Sequence, residues 1–325
     1  DVAILFCGSS SASLARDYNE TNCGEGFDLA DLALTGAQEK LIKAIHATGK
    51  PVILVLVTGK PFSIAWEKKH IPAILIQWYA GEQEGSSIAN ILFGKTNPSG
   101  HLTVSFPQSS GHLPAYYNYL PTDRGFYHKP GSYEQPGRDY VFSSPGPLWA
   151  FGHGLTYTTF NYTDMQIQQS VDSIKVFVTV KNTGRWAGKA VPQLYVRDVF
   201  SSISTPVKQL KAFNKVTLEP GETTRVPLHF AVQDLALTDE AGKTMVEPGS
   251  FEIMIGDASD HILLKQTISI GQNMAVSPCS IKEQLPEEIG KGNIIHIKGV
   301  VRDVQATPVD KVEIYSTAQQ QVIGV

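Results

Sequence analysis

The sequence predicts an α/β domain with a mostly parallel sheet followed by an all-β sandwich, and three observations carry that prediction. Val52–Val57 and Ala73–Trp78 are short runs rich in Val, Ile and Leu, each closed by a glycine-containing turn, which is the pattern of strands buried on both faces. Glu84–Phe93 has helical spacing, with Ile88, Ile91 and Leu92 on one face and Gly94 and Asn97-Pro98-Ser99-Gly100 as its stop. Strand, helix and strand in series imply right-handed crossovers and a layered α/β domain. From about residue 160 to 270 the period becomes two, as in Ile174, Val176, Val178 and Val180, with Asn182-Thr183-Gly184, Glu219-Pro220-Gly221 and Glu247-Pro248-Gly249 as turns. That spacing argues an antiparallel β-sandwich.

In chain order, Val2–Cys7 reads as the first buried strand, and Gly8 to Asp31 as a polar loop. A helix is predicted over Thr35–Ala47: Leu41, Ile42 and Ile45 share a face, Thr35 is the N-cap with Gln38 three residues on, and Gly49 and Pro51 end it. Leu102–Phe106 is the fourth strand-like run. Residues 116–159 combine many aromatics with recurrent Gly and Pro; side chains that large bury area when packed, so an ordered wrap against both neighbouring domains is expected. Within the sandwich, Val191–Val196, Val226–Phe230 and Phe251–Ile255 are further strands. The divisions are therefore 1–115 for the α/β part, 116–159 for the wrap, 160–271 for the sandwich, 272–293 for a polar linker and 294–325 for a small β-unit cut short at Val325. Because Asp1 opens directly on a strand and Val325 closes on one, the chain reads as a segment of a longer protein.

Composition narrows the class. Over 325 residues, 42% are hydrophobic, 18% are charged and the net charge is −4, so neither a basic nucleic-acid surface nor a disordered acidic chain is indicated. Cys7, Cys23 and Cys279 are odd in number, lie far apart and have no metal-type spacing. No apolar run approaches the ~18 to 20 residues that cross a bilayer. No His, Cys and carboxylate cluster has ligand spacing, and Gly24-Glu25-Gly26 is not followed by the further glycine of a phosphate loop, so no metal or cofactor is expected.

The segments GKPFSIAW, AILIQWYAGEQEG, ILFGKTNPSGHLTVSFP and PLWAFGHGLTYTTF, with VTVKNTGRWAGKAVPQLYVRD, PVKQLKAFNKVTLEPGET and VEPGSFEIMIG after them, occur in one order. Over about residues 1–270 this resembles the carboxyl-terminal half of a glycoside hydrolase family 3 enzyme of the β-glucosidase type. The resemblance implies a partial α/β sandwich domain, then a fibronectin type III-like domain, preceded in the parent by a barrel absent from this chain. The tail IKGVVRDVQATPVDKVEIYST is similar to the opening of a carboxypeptidase-regulatory-like domain. By the same resemblance the parent hydrolyses terminal non-reducing β-linked sugars of oligosaccharides or aryl and alkyl β-glycosides, with retention. β-Xylosidase and β-N-acetylglucosaminidase are alternative activities within the family, and a non-catalytic glycan-binding or scaffolding module is the alternative outside it. Family members with appended β-modules are usually exported, so a periplasmic or extracellular location is implied.

Loops at the carboxyl ends of parallel strands are where α/β folds place their chemistry. The loop after the first strand carries Arg16, Asp17, Glu20, Glu25, Asp28 and Asp31. Retaining hydrolysis uses a nucleophile and a general acid/base about 5 to 5.5 Å apart. The resemblance puts the nucleophile on the barrel and the acid/base on this loop, with Glu25 as the first candidate and Glu20 as the second. Without the barrel the segment is expected to be inactive, and solvated surface is the other reading of the loop's acidic residues. Trp66, Trp78 and Tyr79 read as core or interdomain packing in preference to sugar platforms, Glu82 and Glu84 as first-turn helix acids, and His153 as a satisfied histidine. The strand Val2–Cys7, if it forms an open edge, is an expected site of self-association.

Overall fold

The computed structural model describes residues 1–11, 22–24, 28–121, 143 and 146–271, together with strand segments at 274–275, 301–302, 308–309, 314–315 and 322–324. Asp1–Met274 forms one compact unit and Ala275–Val325 a second. The second unit contains two short antiparallel pairings, Val301–Arg302 with Pro308–Val309 and Ile314–Tyr315 with Val322–Gly324. Most of the tail resembling a regulatory-like domain lies outside the described residues.

A three-stranded parallel sheet opens the first unit: β1 (Ala3–Gly8), β2 (Val52–Val57) and β3 (Ala73–Ile76), in that spatial order. Helices α1 (Gln38–His46) and α2 (Ala65–His70) are the crossovers, and α3 (Glu84–Leu92) follows β3. The register Ala3↔Val52, Leu5↔Leu54, Cys7↔Leu56 aligns one apolar face across β1 and β2. Val52, Leu54, Leu56, Ile42, Phe62, Ile64 and Ile71 bury that face in one core, each side chain contributing roughly 1.5–3 kcal/mol by leaving water. The opposite face is open over β1, the edge strand, where Ile4 is 39% and Phe6 60% exposed.

Four expectations are corrected here. Leu102–Phe106 does not join the sheet: Leu102 and Phe106 bond instead to residues 148–153, through Leu102 N to His153 O at 2.8 Å and Phe106 N to Trp149 O at 2.8 Å. Pro98 and Pro107 bracket the run, and proline cannot donate to a ladder. Thr35 does not cap α1, which starts after Ala37 without a side-chain cap, because Gly36 takes φ +65° and the Thr35 hydroxyl is engaged by Asn22 and Gln38. Leu41 is half exposed, so Ile42 and Ile45 are the apolar residues of α1 that meet the core. The third strand ends at Ile76, two residues short, since Trp78 adopts φ +57°.

Two facing β-sheets make up the sandwich. One contains β4 (Phe160–Gln169), β5 (Ser173–Asn182) and β10 (Thr223–Ala231), in the order β10-β5-β4. The other contains β7 (Gln193–Asp198), β8 (Gln209–Phe213), β13 (Gly249–Ala258) and β14 (His261–Ile270), in the order β14-β13-β7-β8. Further short strands pair antiparallel, β6 (Gly188–Ala190) with β9 (Val216–Leu218) and β11 (Leu237–Thr238) with β12 (Thr244–Val246). Register explains the core: Val226↔Val178, Leu228↔Val176 and Phe230↔Ile174 put the alternating apolar residues of β5 and β10 on one face, where all are almost fully buried.

Asn182 ends β5 as a core residue. Its amide donates to Trp186 O at 2.8 Å and Leu218 O at 3.0 Å, and accepts from Thr158 Oγ1 at 2.6 Å. The seam with the α/β part is organised by Gln193, whose amide donates to Gly152 O at 2.9 Å and Asp257 O at 2.7 Å while its carbonyl accepts from Tyr195. Of the aromatic stretch, residues 122–142 and 144–145 lie outside the described residues. Tyr117 stacks on Phe151 with centroids 4.2 Å apart, meets Tyr195 edge-on, and accepts a hydrogen bond from Leu210 N.

Candidate functional site

The carboxyl ends of the three parallel strands converge on one polar cluster. At Gly8 a side chain is impossible: φ is +150°, and a Cβ would lie 1.8 Å from Val57 O, so β1 and β2 approach there as only glycine permits. The side chain of Gln38 brackets the same residue, accepting from Gly8 N at 2.7 Å and donating to Gly8 O at 3.0 Å. Next along β1, Ser9 Oγ lies 3.2 Å from both Thr58 Oγ1 and Tyr79 OH, and Tyr79 OH donates to Ser9 O at 2.9 Å. Residues following all three strands are thus tied by hydroxyl bonds.

The loop leaving β1 is pinned at its described ends. Ser10 N donates to Asn22 Oδ1 at 2.7 Å, and Asn22 Nδ2 donates to Thr35 Oγ1 at 2.8 Å. Cys23, a half-buried free thiol, follows Asn22, whereas Cys7 is buried in the core. Farther on, Asp31 is exposed and ionised; bonds from Ala33 N and Ser110 Oγ hold its carboxyl below the ordinary range.

Lys60 lies just past β2, in the turn where Thr58 Oγ1 donates to Lys60 O at 2.7 Å and accepts from Lys60 N at 3.0 Å. The residue is 8% exposed, its ammonium sits 5.0 Å from the Phe62 ring centroid, and Nζ has no hydrogen-bond partner. Burial pushes its pKa down, while the charges of Cys23 and Asp31 pull it up.

Glu25 and Glu20, with Arg16 and Asp17, lie outside the described residues; Asp28 is exposed. Trp66 stacks on His70 at 4.3 Å and packs against the core, and Trp78 meets Phe106 edge-on at 6.1 Å. Glu82 is exposed, and Glu84 sits in the first turn of α3. His153 is half buried, and that burial lowers its pKa. Among the described residues no group of His, Cys, Asp and Glu side chains is arranged to hold a metal ion, and no helix is long and apolar enough to cross a membrane. Lys60 and the clamp by Gln38 were missed in the sequence, although Thr58-Gly59-Lys60 stands directly after a buried strand, where α/β folds gather functional groups.

Comparison with known proteins extends this picture. The model of the glycosyl hydrolase family 3 C-terminal domain matches residues 1–157, and that of the fibronectin type III-like domain matches residues 190–259. The chain belongs to glycosyl hydrolase family 3. It is a carboxyl-terminal family 3 region, an α/β sandwich part followed by a fibronectin type III-like sandwich. A β-xylosidase of Formosa agariphila is 40% identical over 278 residues, covering 83% of this chain and 35% of the relative. A periplasmic β-glucosidase of Salmonella typhimurium is 39% identical over 267 residues, covering 81% and 33%. The family 3 chain thus spans about a third of the length of the curated relatives it matches. Among solved structures, a β-glucosidase from Listeria innocua in complex with glucose superposes with a TM-score of 0.74 at 32% identity, over 84% of this chain and 37% of that one.

Proposed function

We propose that this chain is the acid/base-bearing part of a retaining exo-β-glycosidase that removes terminal non-reducing β-linked sugars, glucose first among them. The observation that supports it most is positional. In the sequence Glu25 follows the carboxyl end of β1 and comes directly after Asn22–Gly24, and Asn22 is tied to Ser10 next to the contacts that Ser9 makes with Thr58 and Tyr79. Glu25 is the proposed general acid/base and Glu20 its alternative; the nucleophile comes from a barrel elsewhere in the parent. To protonate a departing glycosidic oxygen near neutral pH the carboxyl must hold its proton, which takes burial or a neighbouring carboxylate. The barrel would supply both, so the 325-residue chain alone is inactive. The domain divisions at about residues 115, 159, 271 and 293 are part of the same proposal.

A β-xylosidase reading is favoured by the Formosa agariphila relative, and a periplasmic or extracellular location by the printed name of the Salmonella typhimurium relative. Hydrolysis of a panel of aryl β-glycosides by the chain and by the full-length parent tests these readings. Turnover by the parent alone, with aryl β-glucoside preferred, is the expected result. Turnover by the chain alone would place both carboxylates within it and overturn the division of labour, and an aryl β-xyloside preference would replace glucose by xylose.

A further inference from the structure

Three aromatic side chains face solvent around one pair of locked segments: Trp186 is 64% exposed, Phe93 77% and Tyr157 47%. Rings of that size stabilise a fold by burial, so packing does not account for them here. Their backbones are nevertheless fixed. Asn97 Oδ1 accepts from Tyr157 N at 2.8 Å and Thr156 Oγ1 at 2.6 Å, while Asn97 Nδ2 donates to Ala187 O at 2.8 Å. The fully buried Asn182 bridges the same two segments a second time, accepting from Thr158 Oγ1 at 2.6 Å and donating to Trp186 O at 2.8 Å. Residues 156–158 and 186–187 are thus joined side by side through two amides. A Cβ at Gly188 would meet Thr158 Cγ2 at 2.7 Å and Asn97 Nδ2 at 2.9 Å, so the chain leaving Trp186 is pressed onto the same base. Phe93 joins the group from α3: Tyr157 OH donates to Ile91 O at 2.8 Å, and Phe93 closes the helix two residues later.

We propose that Trp186, Tyr157 and Phe93 form a surface glycan-binding site that takes a chain of β-linked glucose residues. The choice of glucose rests on the function proposed above. A β-glucopyranose ring holds its hydroxyls equatorial, so its two faces present C–H groups that pack on an indole, phenol or phenyl ring. Arg185 and Lys189, both exposed, stand to either side of Trp186 in the chain and supply donors for the sugar hydroxyls. Aromatic side chains on a pinned backbone lose little conformational freedom on binding. Area separates a glycan from a protein partner: the exposed parts of the three rings amount to about 400 Å², against the ~800 Å² per partner of a specific protein interface. The group also lies away from the carboxyl ends of the parallel strands. Glu84 opens α3 just past β3, and nine helical residues carry the chain about 13 Å on to Phe93.

Affinity electrophoresis of the full-length parent, in native gels containing mixed-linkage β-glucan, tests the proposal. The wild-type protein is expected to be slowed relative to a gel without polymer. Trp186→Ala is expected to weaken the apparent affinity about tenfold, and Trp186→Tyr, which keeps a ring, to stay within about twofold of wild type. Phe93→Ala gives the same reading if Trp186→Ala does not fold. A wild-type protein that is not slowed, or slowing that is unchanged in both alanine variants, overturns the inference. Slowing by xylan alone overturns the glucose assignment. Sedimentation run alongside would overturn the inference if the parent is a dimer that Trp186→Ala dissociates, since the rings would then face a second copy. Hydrolysis of aryl β-glycosides by the wild-type parent keeps the two readings apart. Hydrolysis without slowing means that only the surface site fails, whereas slowing through Trp186 without hydrolysis means that the proposed activity fails.

Discussion

Replacing Glu67 by methionine is expected to stabilise the protein at neutral pH. Glu67 lies in the first turn of α2 and is 2% exposed, and its Oε1 has no hydrogen-bond partner. Burial pushes its pKa up; Glu39 adds to the rise, and Lys43 and His70 oppose it. The folded state therefore binds this proton more tightly than the unfolded chain. Stability contributed by the protonated form is present below the ordinary glutamate value and is lost as pH rises through the raised one. Methionine has a similar length, carries no charge and removes the orphaned acceptor, whose burial costs about 1–3 kcal/mol. Against that stands a favourable first-turn interaction with the helix dipole of about 0.3–1 kcal/mol. The net gain is about 1–2 kcal/mol at pH 7, or roughly 1.5–3 °C in Tm for a protein of this size. Urea and thermal unfolding of wild type and variant from pH 5 to pH 8 measure it, and the difference between them should grow with pH. A variant less stable than wild type at pH 7, or a difference that does not change with pH, would refute the reasoning.

Other perturbations probe the sandwich, the seam and the open edge. Asn182→Ala strips four bonds from a fully buried amide and should cost about 2–4 kcal/mol in urea unfolding. Gly152→Ala would place a Cβ 2.1 Å from Gln193 Oε1 at a residue with φ +82°, so a loss of more than about 2 kcal/mol is expected in the same assay. Burial holds the His153 imidazole below its ordinary value, so the unfolded chain binds that proton first and stability falls as pH drops below about 6.5; His153→Gln should lose less stability between pH 7 and pH 5. Phe6→Lys on the exposed β1 edge should reduce self-association of the 325-residue chain in sedimentation, and a wild-type chain that stays monomeric at high concentration would contradict that expectation.

The legible parts of the fold were those where one periodicity dominated. Val52–Val57 and Ile174–Val180 read correctly because every residue on the core face is apolar and each run is closed by a turn. Leu102–Phe106 has the composition of a strand, yet its partner is the distant segment 148–153, and local pattern contains no information about which backbone a run will pair with. Asn182 looked like a turn residue because Asn-Thr-Gly is turn chemistry; its burial depends on carbonyls at Trp186 and Leu218 that only the folded sandwich brings to it. At the candidate site, the loop after β1 was singled out by its length and acidity, and most of it lies outside the described residues. Lys60 was not, since a lysine after a strand is ordinarily solvated, and its burial without a hydrogen-bond partner exists only in three dimensions.

The most direct test of the central claim is chemical rescue of a Glu25→Ala variant of the full-length parent. Aryl β-glucosides with good and poor leaving groups are assayed with and without azide. A residue acting as general acid/base is dispensable for expelling a good leaving group, and azide attacks the glycosyl-enzyme without needing a base. The predicted result is a large loss on poor leaving groups, a smaller loss on good ones, and recovery by azide with formation of a β-glucosyl azide. Undiminished activity on poor leaving groups, or a loss that azide does not relieve, would contradict the assignment.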